Sequence, residues 1–134
     1  MTGQIEVERK RRLPDGGAGL AGVLAGLGWV DAEPMTEADA YYSRPDVDYM
    51  ETVECLRVRR RDDVAELTYK PPSTAATHSA YGVISKPETN VRLAAGDQAA
   101  LADDLLECIG MRLLVRLPYR DLALGRAGDE RCAS

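Results

Sequence analysis

Phenylalanine is absent from this chain of 134 residues, and it has a single tryptophan, Trp29, and a single histidine, His78. A core must therefore be aliphatic, built from Leu, Val and Ala. Its three cysteines, Cys55, Cys108 and Cys132, are odd in number and far apart, and form no CxxC or Cys/His pair. That argues against structural zinc and for a reduced, cytoplasmic setting. The longest apolar run, residues 18–30, is interrupted by four glycines and is too short to cross a bilayer, and nothing resembles a signal peptide. A net charge of −5 speaks against a general nucleic-acid binder.

The content that is present suits one globular domain. Hydrophobic residues make up 45% and charged residues 29%, and 134 residues suffice for one buried core. The expected domain covers residues 1–124, followed by a disordered tail over 125–134. Although the chain is acidic, its cations gather in two clusters, 9–12 and 57–61. Such clustering suggests a local anion site.

Glu6, Glu8 and Lys10 stand at a spacing of two, with Ile5 and Val7 between them. In a strand, that places the three charges on one face and the two apolar residues on the other. The ordinary reading of such a pattern is a solvated strand face. A pair of carboxylates held side by side, however, repels unless a cation joins it, and hard divalent cations prefer oxygen ligands.

The pattern recurs. Residues 53–60 alternate, with Leu56 and Val58 opposite Arg57 and Arg59. Residues 64–70 form the next strand, joined by a tight turn at 61–63, with Thr68 and Lys70 on one face. Residues 82–93 form another, with Lys86, Glu88 and Asn90 together and Pro87 marking an edge or a bulge. Residues 39–43 read as a short strand after a turn at 33–37, and residues 71–80 as a loop. Leu20, Val23, Leu24 and Leu27 predict a helix capped by Asp15 and stopped at Gly28. A second helix follows Asp97, with Leu101, Leu105 and Ile109 as its buried side and Gly110 as its stop. A strand opens at 111–115, and 119–124 continues or pairs with it. Four strands with charge on one face and apolar residues on the other predict an α+β fold. Its strongly curved antiparallel sheet would form a tunnel-like barrel, complete or incomplete, with a charged interior and helices packed outside.

On these residues the chain resembles the CYTH family, the triphosphate tunnel metalloenzymes. The ExExK signature stands as Glu6-Val7-Glu8-Arg9-Lys10, the Asp-x-Tyr-Tyr element as Asp39-Ala40-Tyr41-Tyr42, and the Leu-Arg-x-Arg strand as Leu56-Arg57-Val58-Arg59. The Leu-Thr-Tyr-Lys strand stands as Leu67-Thr68-Tyr69-Lys70. The family's Arg-x-Glu-x-Glu strand is met in part by Lys86-Pro87-Glu88-Thr89-Asn90.

The resemblance implies metal-dependent binding and turnover of a triphosphate compound. The reaction would be hydrolysis of inorganic or organic triphosphate, or cyclisation of ATP to cyclic AMP, with Mg2+ or Mn2+ as cofactor. By the same resemblance Glu6, Glu8 and Lys70 are the catalytic set, and Glu6, Glu8 and Glu88 hold metal. Lys10, Arg57, Arg59, Lys70, Lys86 and Arg116 would bind the substrate. The family pattern ends on a final Glu-x-Glu pair with no counterpart in this chain. That shortening raises two expectations: a homodimer that completes the tunnel, and, as the alternative function, a non-catalytic polyphosphate- or nucleotide-binding domain. Neither nucleic acid nor membrane is an expected partner.

Overall fold

The computed structural model describes residues 4–31, 35–121 and 124–126. In chain order the elements are β1 (Gln4–Arg9), α1 (Ala18–Gly26), β2 (Trp29–Asp31), β3 (Met35–Ser43), α2 (Tyr49–Thr52), β4 (Cys55–Arg61) and β5 (Val64–Lys70). A 3-10 turn (Ala75–Thr77), β6 (Val83–Leu93), α3 (Gln98–Cys108), β7 (Arg112–Asp121) and β8 (Leu124–Arg126) follow. The chain divides into two compact units, one of residues 1–10 and 36–119, the other of 11–35 and 120–134.

The first unit is built on a six-stranded antiparallel sheet in the order β1-β6-β5-β4-β3-β7. The tight turn between β4 and β5 is Asp62-Asp63, with Asp62 in the left-handed region at φ 50°, a conformation that aspartate tolerates better than most residues. Opposed residues in an antiparallel pair share a face, so the register sorts every side chain. Gln4, Glu6 and Glu8 lie opposite Glu88, Lys86 and Ile84. Arg57 and Arg59 lie opposite Thr68 and Glu66 on one side, and opposite Tyr41 and Asp39 on the other. One face of the sheet thus carries nearly all the charge. The other carries Ala40, Tyr42, Val58 and Ala65, which form the core with Ala99, Ala102 and Leu106 of α3.

The long strand β6 changes partners along its length. Val83 to Glu88 pair with β1, while Thr89 to Leu93 pair with β5. Pro87 falls in the first half, opposite Ile5 and clear of the β5 ladder. There its missing N–H removes no bond to β5.

Two expectations need correction in this unit. Helix α3 buries Ala99, Ala102 and Leu106, whereas Leu101, Leu105 and Ile109 are exposed. The small alanines let the helix approach the sheet, and Tyr42 donates a 2.6 Å hydrogen bond to the Asp103 carboxylate, which fixes the rotation. Strand β3 begins at Met35, so Thr36 and Glu37 belong to the sheet rather than to a turn. Strand β7 continues from Arg112 through Pro118 to Asp121, one of the two expected arrangements, and an edge strand accommodates the proline. The sheet ends at β1 and β7 and among the described residues does not close, the incomplete form of the expected barrel.

Close packing before α3 explains Gly96. A Cβ there would meet the Asp63 carbonyl carbon at 2.9 Å. Gly110, at φ 92°, ends the helix as expected.

In the second unit, the N-cap of α1 is Gly17 rather than the expected Asp15, which stands two residues earlier and accepts from the amides of Gly17 (3.1 Å) and Gly19 (2.6 Å). Those backbone donors hold its carboxyl below the usual range. Strand β2 pairs with β8, so Gly125 and Arg126 of the expected tail lie in a strand. Residues 127–134 of that tail, and Cys132 with them, lie outside the described residues. Among the described residues no helix is long and apolar enough to cross a membrane.

Candidate functional site

The charged face gathers side chains from five strands, and most of its charges are paired across strands. At the centre, Arg59 of β4 makes two hydrogen bonds of 2.8 Å to the Asp39 carboxylate of β3. Its Nη1 also lies 3.3 Å from Glu37, whose side chain is fully buried. Arg61 pairs with the same Glu37 carboxylate. Burial disfavours the charge on Asp39, but the Arg59 hydrogen bonds and the charges of Arg59 and Arg57 prevail and hold its carboxyl below the usual range. Burial, with the Asp39 charge beside it, raises the Tyr41 phenol.

Arg57, next along β4, is differently placed. Its Nη2 reaches Thr68 Oγ1 at 3.4 Å, and its Nε is buried without a hydrogen-bond partner among the described residues. A buried guanidinium donor left unpaired costs free energy unless a ligand satisfies it. Thr68, itself buried, is held by Asn90 at 2.6 Å.

Toward the β1 edge the partners are lysines and glutamates. Lys70 of β5 is hydrogen-bonded to Glu6 of β1 and lies 3.4 Å from Glu88 of β6. Burial works against the Lys70 charge, yet the Glu6 hydrogen bond and the Glu88 charge raise its pKa above the lysine norm. Burial likewise opposes ionisation of Glu88, but Asn90 and Lys70 bring its carboxyl below the usual range. A pocket of about 400 Å³ opens here, lined by Gln4, Ile5, Glu6, Glu88 and Asn90.

Of the expected ligand-binding residues, Lys86 and Arg116 are engaged otherwise, and Lys10 stands at the rim of the face. Lys86 shares the charged face, but its ammonium donates to the Val53 carbonyl at 2.6 Å and to Ser73 Oγ at 3.1 Å. It thereby ties the 71–80 loop down, and burial lowers its pKa. Lys10 lies just past the end of β1, largely exposed, with its ammonium 2.9 Å from Glu8 Oε1. Arg116 of β7 pairs at 3.0 Å with Asp103 of α3, on the helix-covered side together with Tyr42, and the structure does not bring it to the charged face.

The residues that sequence reading missed are Glu37 and Asp39 as partners of the arginines. Their spacing of two, matched to Arg59 and Arg61 in the register, is the signal that could have found them.

The donor set can be tested against a divalent cation. Glu6 and Glu8 supply hard oxygens on one strand face, and Glu8 Oε1 is shielded without a hydrogen-bond partner, since Lys10 approaches it without hydrogen-bond geometry. Among the described residues, however, no group of three acidic, His or Cys side chains encloses a cation. The set fits an ion of the magnesium or manganese kind that uses one or two carboxylates and takes its other ligands from water and phosphate oxygens.

Similar folds are known. The PH1819 protein of Pyrococcus horikoshii OT3 is 19% identical, with a TM-score of 0.58 over 75% of this chain and 55% of its own. The PH1012 protein of the same organism is 14% identical, with a TM-score of 0.55 over 92% of this chain and 64% of its own. A candidate adenylate cyclase of Bacillus halodurans is 15% identical, with a TM-score of 0.51 over 88% of this chain and 64% of its own. The chain therefore spans between about half and two thirds of the length of these structures. No curated protein matches it. A family profile does match, and it covers residues 4–118, nearly all of the six-stranded unit and the whole of the charged face: the chain belongs to the CYTH domain family.

Proposed function

We propose that this protein binds a triphosphate compound on the charged face of its sheet and turns it over with a divalent cation. The observation that carries this reading is that face itself. Five adjacent strands turn charged side chains to one side, while the opposite side of β3, β4 and β5 packs under α3 and Ile5 and Val7 of β1 stay exposed. Arg57 offers a buried donor without a partner to a ligand oxygen.

In this reading Arg57 and Arg59 orient the phosphate chain, and Lys70 and Lys10 add cations toward the β1 end. Arg116 is left out, because it is held by Asp103 on the other side. Glu6 and Glu8 would hold a magnesium or manganese ion, with Glu88 beside them. When bound, that ion supplies charge neutralisation on the phosphoryl oxygens. The protein's own contribution is positioning and electrostatic stabilisation, which dominate phosphoryl transfer.

The candidate adenylate cyclase among the similar folds supports cyclisation of ATP as one option beside hydrolysis of inorganic or organic triphosphate. Turnover of tripolyphosphate, thiamine triphosphate and ATP with magnesium or manganese tests the proposal. A rate left unchanged by Glu6→Gln would refute the cation role of Glu6.

One observation favours a second reading, a non-catalytic binder: no third acidic ligand joins Glu6 and Glu8 among the described residues. Calorimetry showing tight tripolyphosphate binding without turnover would support it. The sheet edges at β1 and β7, unpaired among the described residues, also support a homodimer in which a second copy completes the face. A strictly monomeric species in light scattering at high concentration would count against that assembly.

A further inference from the structure

The charged face is already neutralised at the point where the proposed ligands would bind. Lys70 and Glu6 stand on strands separated by β6, roughly 10 Å apart at the backbone. Their side chains nevertheless meet across β6, and Glu88 of that strand is the ammonium's second partner at 3.4 Å. The Lys70 and Glu88 side chains are 17% and 12% exposed, and that of Glu6 is 39% exposed. Two carboxylates that would otherwise repel each other are thus joined by one internal cation.

We infer that Lys70 is an internal stand-in for the divalent cation: it neutralises Glu6 and Glu88 in the free protein, and the arriving ion displaces its ammonium toward the phosphate chain. This rests on the function proposed above. An ammonium and a divalent ion repel each other and compete for the same carboxylate oxygens. Cation alone must expel Lys70 with no anion to receive it. Triphosphate alone must draw Lys70 away and leave Glu6 and Glu88 unpaired. Each ligand removes the other's obstacle, so their binding is coupled, and coupling of this kind is reciprocal. Arg59 does not take part in such an exchange, because the Glu37 and Asp39 side chains that hold it are 0% and 1% exposed.

Tripolyphosphate chelates manganese, so the two are titrated separately into the full chain by calorimetry. Manganese alone should bind Lys70→Gln at least tenfold more tightly than the parent protein. Tripolyphosphate alone, in chelator, should bind Glu88→Gln at least tenfold more tightly than the parent. Glu66→Gln makes the same charge change on the same face, opposite Arg59 rather than against Lys70, and should tighten binding less than threefold. Both expected effects are gains of affinity, which a misfolded variant does not produce. Manganese affinity of Lys70→Gln within twofold of the parent overturns the inference, as does equal tightening by Glu88→Gln and Glu66→Gln, while parental tripolyphosphate binding leaves the proposed function standing. No tripolyphosphate binding by any of the proteins overturns the proposed function and this inference with it.

Discussion

Glu37 and Asp39 at the centre of the sheet, and Glu6 and Glu88 toward its β1 edge, face the same side and each hold a cation from a nearby strand. They differ in depth and in the cation they hold. The central acids are shut away from solvent and grip planar guanidinium forks, Asp39 in bidentate fashion. At the edge, Glu6 stays partly open to water and holds the point charge of a lysine. A fork matched to a carboxylate is costly to part, whereas an ammonium on a flexible stem exchanges partners readily. The central cluster therefore acts as a frame that orients β4, and the edge cluster as the part of the face free to rearrange around a ligand.

The strongest way to break this contrast is Asp39→Ala. It leaves the Arg59 fork without its main partner, and stability should fall by about 3 kcal/mol in denaturant unfolding. A loss below about 1 kcal/mol would show that the centre is as loose as the edge.

Arg57→Gln should weaken tripolyphosphate binding about tenfold, roughly 1.4 kcal/mol, with a smaller loss of stability than Asp39→Ala, because among the described residues no salt bridge joins the Arg57 guanidinium to a carboxylate and its charge acts on Asp39 without a hydrogen bond. Equal losses of stability and binding would place Arg57 in the frame instead.

Lys70→Gln should cost less than Asp39→Ala, about 1 kcal/mol or less, since solvent screens its partly open pair. Equal costs would remove the distinction.

The finest test is pH. The Asp39 carboxyl is held low in the fold, so its contribution is complete above the unfolded carboxylate value of about 3.9. It is lost as pH falls through the lower folded value. The Lys70 ammonium is held high, so its contribution is complete below the unfolded lysine value of about 10.4. That contribution is lost as pH rises through the higher folded value. Unfolding midpoints followed across pH should lose an acid limb in Asp39→Ala and a weaker alkaline limb in Lys70→Gln. The opposite assignment would contradict both ion pairs.

Much of the site could be read from the chain because a strand's pleat is local. Alternation at 56–59, 67–70 and 86–90 assigned side chains to faces correctly, and the register keeps those assignments across β4, β5 and β6. The helix was harder. Leu101, Leu105 and Ile109 make as regular a stripe as Ala99, Ala102 and Leu106, and hydrophobicity favours the leucines. Close approach to the sheet favours the alanines, and the Asp103 contacts with Tyr42 and Arg116 settle the rotation. The same contact explains Arg116, whose motif suited the charged face but whose partner is on the helix. Glu37 was missed because it lies within a run, 33–37, that reads as a turn, while its partners Arg59 and Arg61 come more than twenty residues later.

By itself the sequence determined that several strands would each carry charge on one face and apolar residues on the other. That follows from the two-residue period of the pleat and needs no knowledge of neighbours. Only the tertiary structure decided which charges meet. The order β1-β6-β5-β4-β3-β7 brings Lys70 to Glu6 across 64 residues of chain and sets Asp39 against Arg59. The physical reason is range: a side chain's face is set by its own backbone, but its ionic partner is set by which strand the sheet places beside it.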